Sequence, residues 1–334
     1  MRGMPAVRWS AWPAWLLAAA ALLQAGAVQA APGAPAVQLE GYTDRNGAIT
    51  VLHGGDSADP YFAMQALLLA HDNGLDITAS AEKFITWLLP KQKPDGTFDR
   101  FCRQANGDWL ACRTADADDS LLAMWMRLLD TLPAQLAARP DWANSHRIAK
   151  ASLARLYQPS RAVYMVSPVY LHGLFMDNLE VWALKQQSPD PALRAQADVL
   201  SKAIYATFWQ PVDARFLVST QLEQRGQAPA FYPDHVAQLF PLLVGFPLPA
   251  AAGHYRTWMQ QHRAEWLRHG EKDYPWGIIA VAAMRQGDVD GVRCWLRETA
   301  GMRHSARWAV SDEVSLQVVT ARGLKPAAPR ADCT

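Results

Sequence analysis

Helical hydrophobic periodicity dominates the chain from Asp59 almost to its C-terminal end. Apolar residues recur there at intervals of three and four positions, which places them on one face of an α-helix. Two kinds of helical segment alternate along this region. One kind is apolar nearly all round, as in SLLAMWMRLL and WGIIAVAAMR, which is typical of a helix buried on most sides. The other kind is amphipathic and charged, so the alternation predicts helical hairpins with one inner and one outer helix each.

The inner helices are expected to begin near regularly spaced acidic residues. The six predicted starts are Asp59, Asp116, Asp177, Asp234, Asp273 and Asp312, at steps of 57, 61, 57, 39 and 39 residues. The predicted outer helices are Ala79–Leu89, His146–Tyr157, Pro191–Trp209, His254–Arg268 and Val289–Glu298. A repeat of this kind predicts an all-α fold, an (α/α)6 toroid of helical hairpins. No sixth outer helix follows, so either the N-terminal segment closes the ring or the ring is incomplete.

A small β-hairpin is predicted between the first two cysteines. Asn106-Gly107 is a hairpin turn signal, and a three-residue loop over 106–108 would place Cys102 and Cys112 directly opposite each other. We therefore predict a Cys102–Cys112 disulfide. Cys294 and Cys333 either form a second disulfide, which would pin the C-terminal tail, or remain free thiols. The sequence has no C-x-x-C pair and its histidines are scattered, so neither a metal site nor a cofactor is predicted.

The first 30 residues have the pattern of a secretory signal peptide. Arg2 and Arg8 supply positive charge before an apolar run, and Val28-Gln29-Ala30 supplies the small residues of a cleavage site. The run is too short for a stable membrane span, although an uncleaved anchor is the alternative. The predicted organisation is a signal peptide (1–30), a linker or extended segment (31–58), the toroid domain (59–324) and a tail (325–334). The mature protein is then periplasmic or secreted, and no later segment could span a membrane.

The charge balance restricts the partners of the mature chain. Cleavage would leave 30 basic and 31 acidic residues, a net charge of about −1. This balance favours neither nucleic acid nor an anionic membrane surface. Half of the residues are hydrophobic, which is enough for a large core, and we expect a monomer.

The acidic residues at the predicted helix starts would all lie at one end of the ring. The alternative for each acid is a purely structural role as an N-cap that complements the helix dipole. The richest group is TADADDS, where Asp116, Asp118 and Asp119 are crowded enough to raise the pKa of one carboxyl group, which could then act as a general acid. The sequence MDNLE places Asp177 and Glu180 on one helix face, where apolar neighbours would raise the pKa of Glu180. For the TADADDS group the alternative is a solvated capping cluster. For Glu180 in MDNLE it is an interior salt bridge.

Aromatic and polar residues near these acids suit a sugar chain. Aromatic faces pack on the C–H faces of sugars, and carboxylates accept hydrogen bonds from hydroxyl groups. Any single ring could equally belong to the core, whereas the set together favours a cleft. The candidate substrate-binding residues are Asp59, Tyr61, Trp109, Asp116, Asp177, Tyr232, Asp234, His235, Trp276 and Trp308.

The hairpin repeat over Asp59–Gly323 and the sequence DADDSLLAMW resemble the six-hairpin glycosidase superfamily, as a divergent relative of the family-8 cellulases. The resemblance implies hydrolysis of a glycosidic bond in a polysaccharide or oligosaccharide by two carboxyl groups. The candidate catalytic residues are Asp118, Asp119, Glu180, Asp312 and Glu313. One of the first two would pair with Glu180 or, across the ring, with one of the last two.

Three other interpretations fit part of the pattern. Asp116-Ala117-Asp118-Asp119 also matches the D-x-D-D acid motif of class II terpene cyclases, which protonate an isoprenoid double bond in a dry cavity. A polysaccharide lyase on the same architecture is compatible with His172 and His235 near helix starts. A toroid without catalytic activity could bind glycan during polysaccharide export.

Overall fold

A computed structural model of the chain describes residues 33–115, 117–329 and 332–333. The predicted signal peptide and Asp116 lie outside these residues. The helices are α1 (Pro60–Asp72), α2 (Thr78–Leu88), α3 (Asp118–Thr131), α4 (Ala134–Ala137), α5 (Pro140–Arg155), α6 (Phe175–Gln187), α7 (Pro191–Phe208), α8 (Phe240–Val244), α9 (Ala251–His269), α10 (Gly277–Arg285), α11 (Val289–Glu298) and α12 (Val310–Ala321). Short 3₁₀ turns cover Leu89–Lys91 and Leu222–Gly226, and a π-helical turn covers Phe231–His235. None of the helices described is long and apolar enough to cross a membrane.

The predominantly apolar helices form a closed inner ring. Helix α1 packs on α3, α3 on α6, α6 on α8, α8 on α10, α10 on α12, and α12 packs back on α1. The amphipathic helices lie outside: α2 contacts α1, α5 contacts α3, α7 contacts α6, and α9 and α11 pack together beside α10. The predicted all-α toroid of helical hairpins is confirmed.

The N-terminal segment packs against α12, where a sixth outer helix is missing. Val310 N donates to Val51 O at 2.8 Å, and the side chain of Gln317 exchanges hydrogen bonds with the backbone of Gln38. A Cys294–Cys333 disulfide fastens the C-terminal residues to α11, the outer helix that precedes α12 in the chain. Extended chain therefore takes the place of the absent helix.

The small β-structure lies beside the ring. Its strands are β1 (Ser57–Ala58), β2 (Asp99–Arg103), β3 (Trp109–Thr114), β4 (Tyr157–Gln158), β5 (Val163–Tyr164), β6 (Trp209–Gln210) and β7 (Arg215–Phe216). The first three form one antiparallel sheet, and β4–β5 and β6–β7 form two hairpins that follow the outer helices α5 and α7. The pairings between these seven strands are antiparallel, and three of them, β2–β3, β4–β5 and β6–β7, are hairpins with short connections.

The Cys102–Cys112 disulfide is confirmed, with Cα atoms 5.8 Å apart, but the predicted register was wrong. Cys102 faces Leu110, and the loop covers five residues, 104–108, instead of three. A register shift between Arg100 and Phe101 leaves Cys112 as the extra residue of a β-bulge. The bulge brings the two sulfur atoms together although the residues are not direct ladder partners.

Helices α1, α6, α10 and α12 begin within four residues of the acids predicted to lie near their starts, but the acids occupy different positions relative to the first turn. Asp59 is the N-cap of α1, since its Oδ1 accepts from Tyr61 N at 3.0 Å. Helix α6 begins two residues before Asp177, and α10 begins four residues after Asp273. The acid group of Asp312 caps α12 from inside its first turn. The fourth inner helix is broken between the π-helical turn and α8, because Pro241 lacks a backbone N–H and is tolerated only in a first helical turn.

Candidate active site

Three consecutive inner helices bring a cluster of carboxyl groups together. Asp119 stands in the first turn of α3, and Asp177 and Glu180 lie one turn apart on α6. Helix α1 contributes Tyr61, whose hydroxyl group donates to Glu180 Oε1 at 2.9 Å. Asp119 is fully buried, and Asp177 and Glu180 are each only 6 % exposed. We call Asp119, Asp177 and Glu180 the carboxyl cluster.

Burial and mutual repulsion hold protons in the carboxyl cluster. Burial raises the pKa of Asp119 well above its usual range, and the negative charge of Asp177 raises it further. Burial and then the charge of Asp177 likewise raise the pKa of Glu180, an effect that the hydrogen bond from Tyr61 only partly offsets. Because the buried groups Asp119 and Asp177 repel each other when both are ionised, a proton on one of them relieves that repulsion. The cluster therefore keeps a proton at higher pH than ordinary carboxyl groups do, which suits a proton donor.

This electrostatic arrangement predicts an effect of Asp119→Asn on stability. The folded-state pKa of Asp119 lies above the unfolded value of about 3.9, so native protein binds more protons and loses stability as pH rises between the two values. Asparagine cannot ionise. We therefore expect the free energy of unfolding of Asp119→Asn to rise relative to wild type from pH 5 to pH 8, as measured by urea denaturation with disulfides intact.

Asp198→Asn is the matched control for this experiment, because Asp198 is exposed on α7. Its difference from wild type should be the same at both pH values. Equal pH slopes for Asp119→Asn and wild type would show that Asp119 is not protonated in the folded state.

The carboxyl cluster opens onto a cavity of about 330 Å³ through Asp177. This volume lies at the small end of typical ligand pockets, which measure about 300–1,000 Å³. The polar lining consists of Asp59, Tyr61, Arg100, Asp177, Gln224 and Tyr232, and the apolar lining of Phe62, Ala117, Leu121, Leu174, Met176, Val218 and Pro233. A ligand in this cavity would meet Asp177 directly, with Asp119 and Glu180 behind it.

A second carboxylate, Asp59, lines the same cavity. Its Oδ2 lies 2.7 Å from Arg100 Nε, and its Oδ1 accepts the backbone N–H that begins α1. The guanidinium group and the helix N-terminus both favour a negative charge at this position. The cavity therefore joins a carboxylate paired with a guanidinium group to the buried carboxyl cluster.

The other acids of the DADD sequence do not belong to this cluster. Asp118 is half-buried, and burial is the main cause of its raised pKa. Its charged neighbours are Lys93, Asp95 and Asp99, and it is not among the residues that line the cavity. This placement argues against a cyclase, because the middle acid of D-x-D-D would have to reach the ligand. Asp116 lies outside the described residues.

Asp312 and Glu313 do not line this cavity. Both accept hydrogen bonds that link α12 to other parts of the chain. Asp312 Oδ1 accepts from Gly277 N at 2.7 Å and links α12 to α10, while burial raises its pKa to about 7. Burial also acts to raise the pKa of Glu313, but the hydrogen bonds from Arg303 and Gln317 outweigh it and leave the pKa below its usual value. A general acid would need the opposite shift. Since neither Asp312 nor Glu313 lines the cavity, the expected pairing of one of them with Asp118 or Asp119 across the ring gains no support.

The candidate aromatic residues separate into two groups. Tyr232 is half-exposed at the cavity, and its ring stacks on Trp276 with centroids 4.8 Å apart. Trp109 and Trp308 are buried instead. The indole N–H of Trp109 donates to Asp44, and Trp308 stacks on Trp295 in the core. Their placement as substrate-binding residues is not supported, because neither ring reaches the cavity.

Asp234 and His235 follow Tyr232 but turn away from the cavity. Asp234 Oδ2 accepts from Ala230 N at 3.0 Å, a contact within its own turn. His235 points towards Glu265 on α9, with Nδ1 and Oε2 3.7 Å apart. Of this segment, only Tyr232 and Pro233 line the cavity.

Arg100 is the site residue that the sequence analysis missed. It lies on β2, two residues before Cys102, in the sequence FDRFC. The disulfide-linked hairpin carries its side chain to the start of α1, where it meets Asp59. A basic residue beside the predicted hairpin was the available signal, but its partner lies 41 positions earlier in the chain.

Comparison with solved structures shows which known proteins share this architecture. No protein-family model and no curated protein matches the sequence. Among solved structures, an α-amylase from Clostridium perfringens superposes with a TM-score of 0.54 at 9 % identity, covering 86 % of this chain and 95 % of that one. A glycosidase in complex with glucose gives 0.54 at 14 % identity, covering 85 % and 94 %. A cold-adapted family 8 xylanase gives 0.53 at 11 %, covering 86 % and 87 %.

The chain has the helical-toroid fold of these glycosidases. The expected architectural resemblance is therefore confirmed over most of the length of each chain. Identities this low establish the shared fold alone, and the activity must be argued from the carboxyl cluster and its cavity.

Proposed function

We propose that this protein is a glycoside hydrolase that cleaves a polysaccharide or oligosaccharide outside the cytoplasm. The single observation that carries the proposal is the cavity that joins Asp177, backed by the buried carboxyl cluster, to the ion-paired carboxylate Asp59. Two carboxyl groups of opposite protonation state are what glycosidic cleavage requires. The fold that the chain shares with glycosidases supports the same conclusion.

In this proposal Asp177 is the general acid. It lines the cavity, and it lies beside Asp119, whose carboxyl group retains a proton because it is buried. Asp177 would protonate the glycosidic oxygen as the bond to the anomeric carbon breaks. The neighbouring Asp119 carboxyl group would then supply a replacement proton.

Asp59 is proposed to act on the anomeric carbon, either directly or by taking a proton from water. Arg100 keeps Asp59 ionised and fixes its orientation, since the Nε–Oδ2 distance is 2.7 Å. The N–H group of Tyr61 holds the other carboxylate oxygen. Both contacts prepare a negative charge opposite the positive charge that develops on the sugar ring in the transition state.

The remaining lining suits a sugar. Tyr232, supported by Trp276, offers a half-exposed aromatic face, and Phe62 and Met176 add apolar surface for C–H groups. Gln224 and Arg100 supply hydrogen-bond donors for hydroxyl groups. We propose a carbohydrate substrate on this basis.

An extracytoplasmic location has its own support. Both cysteine pairs among the described residues form disulfides, which persist in oxidising compartments. We propose that residues 1–30 are a cleaved signal peptide, followed by the segment 31–58, the toroid domain 59–324 and the tail 325–334.

Reducing-end release from a panel of bacterial exopolysaccharides and oligosaccharides tests the proposed activity. Purified mature protein should release new reducing ends from at least one member, with a rate proportional to enzyme concentration. Retention on immobilised glycan without any release would instead favour a toroid that only binds glycan.

A further inference from the structure

A second group of potential ligand atoms lies behind the turn that carries Tyr232. The side chains of His235, His262 and Glu265 each offer one atom, and these three atoms all lie within 4.8 Å of one another. His262 and Glu265 are three residues apart on α9, so they share a face of that helix. His235 ends the π-helical turn Phe231–His235 and meets them from the other side.

The geometry leaves a gap between these ligand atoms that direct contacts do not fill. His235 Nδ1 is buried and makes no hydrogen bond to any residue described in the structure. It lies 3.7 Å from Glu265 Oε2, beyond hydrogen-bond distance. The rings of His235 and His262 stack with centroids 3.9 Å apart, so one ring must rotate before both nitrogen lone pairs point at a common ion. A buried imidazole nitrogen without a partner is costly unless another group satisfies it.

A metal ion satisfies this arrangement. Zinc bonds of about 2.0–2.2 Å to nitrogen and oxygen at a tetrahedral angle place two ligand atoms roughly 3.3–3.5 Å apart. The separation of His235 Nδ1 and Glu265 Oε2 needs only a small side-chain adjustment to match. Two imidazoles and one carboxylate favour zinc or a neighbouring transition metal over calcium or magnesium, which prefer oxygen ligands.

We propose that His235, His262 and Glu265 bind one divalent transition-metal ion, for which zinc is the best chemical match. Glu265 is exposed, so the ion can enter from solvent and keep water as a fourth ligand. The bound ion links the turn to α9. Trp258 on α9 already makes one such link, because its indole N–H donates to His235 O at 2.7 Å. Since Tyr232 belongs to that turn, the ion stabilises one wall of the cavity from behind.

Calorimetric titration of the full mature chain with ZnCl2, after removal of metal by a chelator, tests the proposal. We expect one ion per chain, and Co²⁺ in place of Zn²⁺ should give the absorption spectrum of a four-coordinate site. His262→Gln and Glu265→Gln should each weaken binding roughly 10-fold or more. Zn²⁺ should also slow amide hydrogen exchange in residues 231–235 of wild type but not of Glu265→Gln.

His146→Gln is the control, because His146 is also half-buried but faces a single carboxylate, Asp130. It should bind Zn²⁺ as wild type does. Glu265 is exposed, so its variant reports on the site even if His262→Gln does not fold. The proposal is overturned if wild type takes up no stoichiometric ion, or if Glu265→Gln binds with unchanged affinity.

Discussion

Asp177→Asn is expected to lower kcat/KM for glycan hydrolysis by about 10³-fold, in the middle of the range for loss of a general acid. Asp177 is the one member of the carboxyl cluster that lines the cavity, and asparagine has no acidic proton to donate. Asparagine has nearly the size of aspartic acid and adds no charge to the buried cluster, so the fold should stay intact. The measurement is reducing-end release from the most responsive glycan, at matched concentrations of folded protein.

Two further variants make this experiment specific. Asp198→Asn changes an exposed carboxylate on α7 and should retain wild-type activity. Asp59→Asn should lose activity as strongly as Asp177→Asn, and its helix should remain capped because asparagine is also a favoured N-cap. Full activity of Asp177→Asn on a glycan that wild type cleaves would refute its assignment as the acid.

The sequence supported the carboxyl cluster only in part. The spacing of Asp177 and Glu180 correctly predicted two acids on one helix face, because both lie within the regular α6. Successive residues of a helix are rotated by about 100° around its axis, so Asp118 and Asp119 face different directions. Which of them faces α6 depends on how α3 packs. Only the packed ring shows that Asp119 meets Asp177 while Asp118 lies near Lys93.

The fold was predictable where periodicity is strong, and less so where backbone geometry is irregular. Outer helix α11 has the predicted bounds Val289–Glu298, because its apolar and charged faces are sharply separated. The register of the β2–β3 hairpin could not be predicted, since a bulge inserts one residue without a distinctive sequence signal. The group of His235, His262 and Glu265 was missed because 27 residues separate its two histidines.

The inner ring has acids at one end and two arginines at the other, which we call the basic end; Asp72, at the end of α1, is the ion-pair partner of one of these arginines. Acids gather where the inner helices begin, whereas Arg127 and Arg285 lie near the C-terminal ends of α3 and α10. Cations at helix C-termini complement the helix dipole. Arg285 donates to the carbonyl oxygen of Leu243, near the end of α8, and to the side chain of Asn73 just after α1. The basic end thus joins helices across the ring, and the acidic end is left to form the cavity.

Arg127→Met is expected to destabilise the protein by about 3–5 kcal/mol, the cost of removing one partner from a buried ion pair. Arg127 is 7 % exposed and donates to Asp72 Oδ2 at 2.6 Å and to Gln187 Oε1 at 2.7 Å, which links α3 to α1 and α6. Methionine fills similar space but leaves the Asp72 charge without this partner. Urea denaturation of wild type and variant at pH 7 measures the loss.

Arg139→Met provides the matched comparison for this result. Arg139 forms ion pairs with Glu82 and Asp141 on the surface, where all three side chains are at least 40 % exposed. Such pairs contribute roughly 0–1 kcal/mol, so this variant should unfold at nearly the wild-type urea concentration. A similar loss in both variants would mean that the charge at position 127 contributes little beyond a surface ion pair. A selective loss in Arg127→Met would show that the basic end holds together the helices that carry the carboxyl cluster.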